Sequence, residues 1–271
     1  MNWIRTLGFG IVIVGLATTM SCDKNGDIVL FSIENDKELG AQVAAEIEGD
    51  STFNILSPVD YPEAYSYLQG ITDNILSSEK VSYKDEFVWK IHIIEDEVLN
   101  AFATPGGYIY VYTGLIKYLD NVDDLAGVMG HEIAHSDQRH SSKQLQRQYG
   151  VQVLLSIVLG EDASQIGQIA GQIAGTGAIL AFSRDAEAEA DEYSVEYLSD
   201  TPYACNGAAT FFQKLEDEGQ GGGVPEFLST HPSPDSRVAD INAKADELGC
   251  DTSQAEETGM TYEEFKNSLP Q

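Results

Sequence analysis

The chain has 271 residues, 42% of them hydrophobic, which is enough to bury the core of about one large domain and excludes a disordered tail. Its 44 acidic and 15 basic residues give a formal charge of −29 with no Lys/Arg cluster, so nucleic acid is excluded as a partner, because phosphate contacts need a basic footprint. The acid reads as a solvated surface that keeps the protein soluble.

The chain opens with Arg5, an apolar run from Leu7 to about Ala17, and small or polar residues ending at Cys22. Residues 1–21 read as a signal peptide, too short for a membrane span. The ending "TTMSC" places a cut before Cys22, which then becomes a lipidated N-terminus, although Thr19 stands where Leu is more usual. Residues 22–32 follow as a lipidated linker. The domain is therefore expected in the bacterial cell envelope, facing the periplasm and held to a membrane through its lipid. With Cys22 modified, Cys205 and Cys250 remain as an even pair in an oxidising compartment. A disulfide between them would stabilise the fold by at most roughly 4 kcal/mol. Two separate buried thiols are the alternative, since spacing alone does not fix their geometry.

Asn35 to Ile47 reads as an amphipathic helix, and so does Pro62 to Ser78, with Tyr65, Leu68, Ile71 and Ile75 at helical spacing. "FVWKIHII" alternates from Phe87 to Ile94, and "YIYVYTG" starts at Tyr108 after the turn signal "TPGG". Two short strands thus flank "LNAFA" in a small sheet. His92, on the first of them, reads as a structural histidine. Further on, Gly219 to Gly223 read as a flexible loop.

Asn121 or Asp123 can cap a helix whose apolar residues Val122, Leu125, Met129 and Ile133 recur at three and four. "GVMGHEIAHSDQRH" therefore lies on a helix, with His131 and His135 four apart on one face. Two imidazoles at that spacing converge on one zinc ion without bending the backbone. Glu132, one residue round, cannot join them as a ligand but can reach a water beside the metal. Gly127 and Gly130 leave that helix surface thin, as close packing around a cleft would require, and His140 is turned off the ligand face.

A third ligand is needed. Gln138 and Ser141 occupy the positions where "HExxHxxGxxH" needs Gly and His, and no acid lies between Asp137 and Glu161. The better candidate lies in "FSRDAEAEADEYSVEYL", from Phe182, where Glu187 and Asp191 again share a helix face. Glu187 would complete the metal site, and Asp191 would hydrogen-bond a ligand imidazole and fix its tautomer. Glu189 would point away, with Glu192 and Glu196. Glu161 is the alternative ligand.

"HEIAH" followed by "SRDAEAEAD" resembles the zinc metallopeptidases that include HtpX and the CAAX prenyl proteases, metallopeptidase family forty-eight, and within it the periplasmic lipoprotein branch. The likeness extends through "NAFATPGGYIYVYTGLI" and "LAGVMGHEIAH" to "STHPSPDSR", covering about Ile33 to Leu248. A short acidic C-terminus stands in place of the tetratricopeptide repeats of some relatives. The resemblance implies an α+β fold: a mostly helical, zincin-like domain over 33–250 with a small mixed sheet and the HExxH helix, followed by an acidic tail over 251–271. The apolar segment Val151 to Ala181 reads as buried helices, since Glu161, Asp162 and several glycines interrupt it.

One Zn2+ per chain is expected on His131, His135 and Glu187, with Glu132 as general base for peptide hydrolysis. The resemblance suggests that an extended substrate adds to an edge strand at Asn100, Ala101, Phe102 and Ala103, a mode that suits unfolded or misfolded polypeptides. His231 and Arg237 are the remaining candidates for active-site work, and the relatives' His-Pro pair with an Arg at the same distance supports them. His231 could stabilise the oxyanion or close on zinc in a resting state. The rival reading is a zinc-containing lipoprotein that binds or escorts outer-membrane clients without cutting them. It would have no use for Glu132. The oligomeric state is not legible.

Overall fold

A computed structural model describes residues 21–22, 28–176, 180–219, 226–231 and 236–270. The chain divides into two compact units, 1–30 and 31–271. In the first, β1 (Ser21–Cys22) pairs antiparallel with β2 (Ile28–Val29), setting Cys22 opposite Ile28. The stretch read as a signal peptide up to residue 20, most of the Gly-rich loop (220–223), and Pro232 and Pro234 lie outside the described residues.

The second unit begins with α1 (Ile33–Gly49), capped by Ser32 Oγ, which accepts from Asn35 N. It buries Leu39, Val43 and Ile47. α2 (Pro62–Leu76) starts with Pro at its first position and buries Leu68, Ile71 and Ile75. The sheet consists of β3 (Lys90–Ile94), β4 (Ala101–Thr104) and β5 (Tyr108–Tyr112) in the order β3-β5-β4. β3 runs parallel to β5, and β4 runs antiparallel to it. "AFAT" is thus a strand at the sheet edge, where the family resemblance placed one. All four of its residues are buried, so it lacks the alternation that announces a half-exposed strand. Gly106 and Gly107, with φ of 79° and 90°, make the tight turn into β5.

α3 (Thr113–Tyr118) leads to α4 (Val122–Asp137), where Asn121 rather than Asp123 supplies the cap. Every residue of α4 is buried. Around it stand α5 (His140–Tyr149), α6 (Val151–Val158), α7 (Ala163–Thr176), α8 (Arg184–Leu198), α9 (Gly207–Gly219), α10 (Glu226–Thr230) and α11 (Arg237–Leu248). α4 packs on α2, α8, α9 and the edge strand β4, which places the HExxH face at the centre of the molecule. Gly127 serves close packing, as expected. A Cβ there would meet Ala208 N at 2.1 Å, and one on Gly207 would meet Asp123 O at 2.1 Å, so these glycines let α4 and α9 cross backbone to backbone.

α6 and α7 pack on α1, burying Leu154, Ile157, Ile169 and Ile173. Among the described residues no helix is long and apolar enough to cross a membrane. A disulfide joins Cys205, before α9, to Cys250, after α11. Residues 251–270 depart from the expected tail. They carry α12 (Tyr262–Asn267), closed at its start by a Thr261–Glu264 capping box. Tyr262, Phe265 and Leu269 are buried in the core, with Phe265 stacked on Tyr67 at 4.3 Å. Acidity hid this helix because the acids lie on its outer side while the apolar residues recur at three and four.

Candidate metal centre

α4 and α8 bring three fully buried residues together. His131 Nε2 and His135 Nε2 lie 2.9 Å apart. Glu187 reaches them from α8, with Oε2 at 3.3 Å from His131 Nε2 and Oε1 at 3.4 Å from His135 Nε2. His231, just after α10, adds Nδ1 at 3.2 Å from Glu187 Oε1 and 3.4 Å from His131 Nε2. One donor atom from each of the four falls within 4.8 Å of all the others. The alternative ligand Glu161 is exposed and has no place in this group.

The donor set suits zinc. It offers imidazole nitrogen and carboxylate oxygen in a dry pocket, the combination of a catalytic zinc site. Both oxygens of buried Glu132 and Oε2 of Glu187 accept no hydrogen bond among the described residues, although His231 Nε2 lies 3.5 Å from Glu132 Oε1 and Arg237 Nη2 3.2 Å from Glu187 Oε2. Buried carboxylate oxygens are costly to leave in that state, and a cation between them relieves the cost. Burial pushes the Glu132 carboxyl up, with the nearby histidines opposing it. Burial would raise Glu187 too, yet His231 and His135 hold it well below the carboxylate range. Burial, reinforced by His131, pushes the His135 imidazole well below its ordinary value, whereas His131, which burial and Arg237 would lower, is raised to about 9 by its bonds to Asp191 and Glu187.

Asp191 fixes the first imidazole. Its Oδ1 lies 2.9 Å from His131 Nδ1, so the opposite nitrogen faces the donor set. Arg237 Nη2 donates to the same Oδ1 at 2.7 Å, and Nε lies 2.7 Å from Oδ2. The guanidinium packs over Phe212, 3.6 Å from its centroid. Arg237 is thus brought to the site: besides clamping Asp191, its Nη2 lies 3.2 Å from Glu187 Oε2 and 3.2 Å from both ring nitrogens of His131.

One expectation is corrected. His140 stays outside the donor set, as expected, but Glu189 turns toward that ring instead of away with Glu192. His140 Nδ1 lies 2.9 Å from His135 Nδ1, and His140 Nε2 lies 3.2 Å from Glu189 Oε2. The reason is a bend that helical periodicity does not contain. Arg139, between α4 and α5, takes the left-handed conformation (φ 60°, ψ 29°) and sets the next residue behind His135. Asp36 on α1 holds that bend through Arg139 Nε at 2.6 Å, and Arg139 Nη2 also donates to Phe31 O. The dipeptide "RH" after HExxH and the alternating acids "EAEAD" were the available signals.

β4 stands at the sheet edge beside the centre. Ala101, Phe102 and Ala103 are buried, and their outer groups are already engaged. Ala101 O is 3.4 Å from His231 Nε2, and Ala103 O accepts from Ser141 Oγ at 2.6 Å. Asn100 Oδ1 accepts from Thr230 Oγ1 at 3.3 Å.

A sequence profile described as peptidase family M48 matches residues 62–245, more than half of the chain. The mitochondrial metalloendopeptidase OMA1 of Schizosaccharomyces pombe is 29% identical over 212 residues, 78% of this chain and 61% of that protein. The beta-barrel assembly-enhancing protease of Escherichia coli K12 is 30% identical over 229 residues, 80% of this chain and 45% of that protein. The chain therefore spans about half of the length of these relatives.

Proposed function

The chain belongs to peptidase family M48, a family of zinc metalloproteases, and from that premise we propose that it is an endopeptidase that cuts unfolded or misassembled proteins in the bacterial cell envelope. One observation carries the reading: His131, His135 and Glu187 converge, and the carboxylate of Glu132 sits beside them, buried and without a hydrogen-bond partner. A centre that only stabilised a binding protein would have no use for that carboxylate. The bacterial relative named for beta-barrel assembly, together with Cys22 after a signal-like stretch, supports the envelope and a lipid anchor.

Each residue then has a task. His131, His135 and Glu187 hold the metal. Zinc, when bound, supplies a Lewis acid that polarises the scissile carbonyl and lowers the pKa of a water toward about 7. Glu132 takes the proton from the attacking water and hands it to the leaving amine. Asp191 and Arg237 keep the His131 ring in one orientation. The backbone of Asn100 and Ala101, the part of the edge that His231 covers, receives the substrate as an added strand with little demand on its side chains, while Ala103 O stays with Ser141.

His231 closes this arrangement. Its Nδ1 faces the donor set and its Nε2 faces Ala101 O, so one imidazole covers both the metal position and the edge strand. Swinging out uncovers the two together. The decisive test incubates the purified protein with casein, with and without a chelator. Cleavage that stops with the chelator and returns with added zinc supports the reading, and intact casein under all conditions overturns it.

A further inference from the structure

His135 differs from His131 in what stands behind it. His131 Nδ1 meets a carboxylate directly, Asp191 Oδ1 at 2.9 Å. His135 Nδ1 meets a second imidazole, His140 Nδ1, at 2.9 Å, and only beyond that ring does a carboxylate follow, Glu189 Oε2 at 3.2 Å from His140 Nε2. His140 is 3% exposed, and Phe182 stacks on His135 at 3.9 Å with the rings 16° from parallel.

The chemistry of this row has one consistent solution. A carboxylate accepts, so His140 carries its proton on Nε2 and donates it to Glu189. In the neutral ring His140 Nδ1 is then a lone pair, and it accepts from His135 Nδ1–H. With its proton on Nδ1, His135 presents a bare Nε2 to Glu187 and His131, the form a metal requires. The opposite assignment would put a hydrogen on His135 Nε2 and another on His140 Nδ1, leaving Glu189 without a donor from that ring.

We propose that Glu189 and His140 form a two-step relay that sets the tautomer and ring orientation of His135 for zinc. Both are positioning residues, since neither touches the donor set. The three acids of "EAEAD" then have distinct duties: Glu187 ligates, Asp191 orients His131, and Glu189 orients His135 through His140. The left-handed turn at Arg139, tied to Asp36, is what delivers His140 to its place.

The inference rests on the reading of His135 as a zinc ligand, and its test separates the two. Zinc affinity of the full chain is measured by competition with a chromophoric chelator, with near-ultraviolet circular dichroism to confirm folding. Glu189→Ala and His140→Leu should each weaken zinc binding about 10- to 100-fold. Because they act in series, the double variant should bind no more weakly than His140→Leu alone. His140→Gln keeps an acceptor for His135 Nδ1–H and should return affinity to within a few-fold of wild type, which a mere space-filling role does not predict. If His140→Leu fails to fold, Glu189→Ala, whose side chain is 16% exposed, carries the test. Additive losses, wild-type affinity in Glu189→Ala, or equal loss in His140→Gln and His140→Leu would overturn the relay while leaving the zinc centre intact. A wild-type chain that holds no zinc would overturn the centre itself, and the relay with it.

Discussion

Asp191 Oδ1 accepts from Arg237 Nη2 at 2.7 Å and lies 2.9 Å from His131 Nδ1, so one carboxylate on α8 ties α11 to the metal-facing ring of α4. Arg237→Met should leave Asp191 buried and uncompensated, lowering stability by about 3–5 kcal/mol and weakening zinc binding with it. Guanidinium unfolding and chelator competition read the two effects. Wild-type values in both would show that the pair does not order His131.

Glu132→Gln should abolish cleavage of casein while metal analysis still finds about one zinc per chain, because the amide keeps the shape of the side chain but cannot take a proton. Near-normal proteolysis by this variant would sink the assigned base.

Glu187→Ala should lose zinc and melt at a lower temperature, since ligation couples to folding. Asp185, exposed on the first turn of the same helix, is the control, and Asp185→Ala should change stability by no more than about 0.5 kcal/mol. Equal shifts from the two would mean that the inward face of α8 is misassigned.

For His231 the geometry favours closure. His231→Ala removes a ring that faces the donor set and Ala101 O at once, so casein cleavage should rise several-fold with zinc retained. Steady-state rates equal to wild type would reduce His231 to packing on Phe227.

His92 tests burial away from the centre. Its imidazole stacks on Tyr110 at 4.7 Å and is pushed down to about 4, chiefly by burial and then by Lys90, with Glu48 opposing. Its folded value lies below its unfolded one, so below about pH 6.5 the unfolded chain takes up a proton that the folded chain refuses. The stability present above pH 6.5 is therefore lost as pH falls toward 4, by about 2 kcal/mol at pH 5. His92→Gln should remove that part of the loss when urea unfolding at pH 7.5 and pH 5 is compared with wild type. An identical pH dependence in the two proteins would show that His92 protonates freely in the fold.

What local spacing encodes was legible in the chain. His131 and His135 four apart, Glu187 and Asp191 four apart, and the apolar rows of α1, α2 and α4 follow from helical periodicity, which depends only on near neighbours. The family likeness rests on those same motifs, and the family match over 62–245 agrees with it. β4 was legible only through the family likeness, because a strand buried on both faces has no alternation to read, and α12 was missed because its acids dominated its composition. The duties of His140, Glu189 and Arg237 were decided only in three dimensions. A helix continued past Asp137 carries His140 off the ligand face. A left-handed residue at Arg139 sets it behind His135 instead, and the group that holds that residue is Asp36, 103 positions earlier in the chain. Such a bend costs conformational energy locally and is offset by a distant ion pair, so no window of neighbouring residues contains the reason for it.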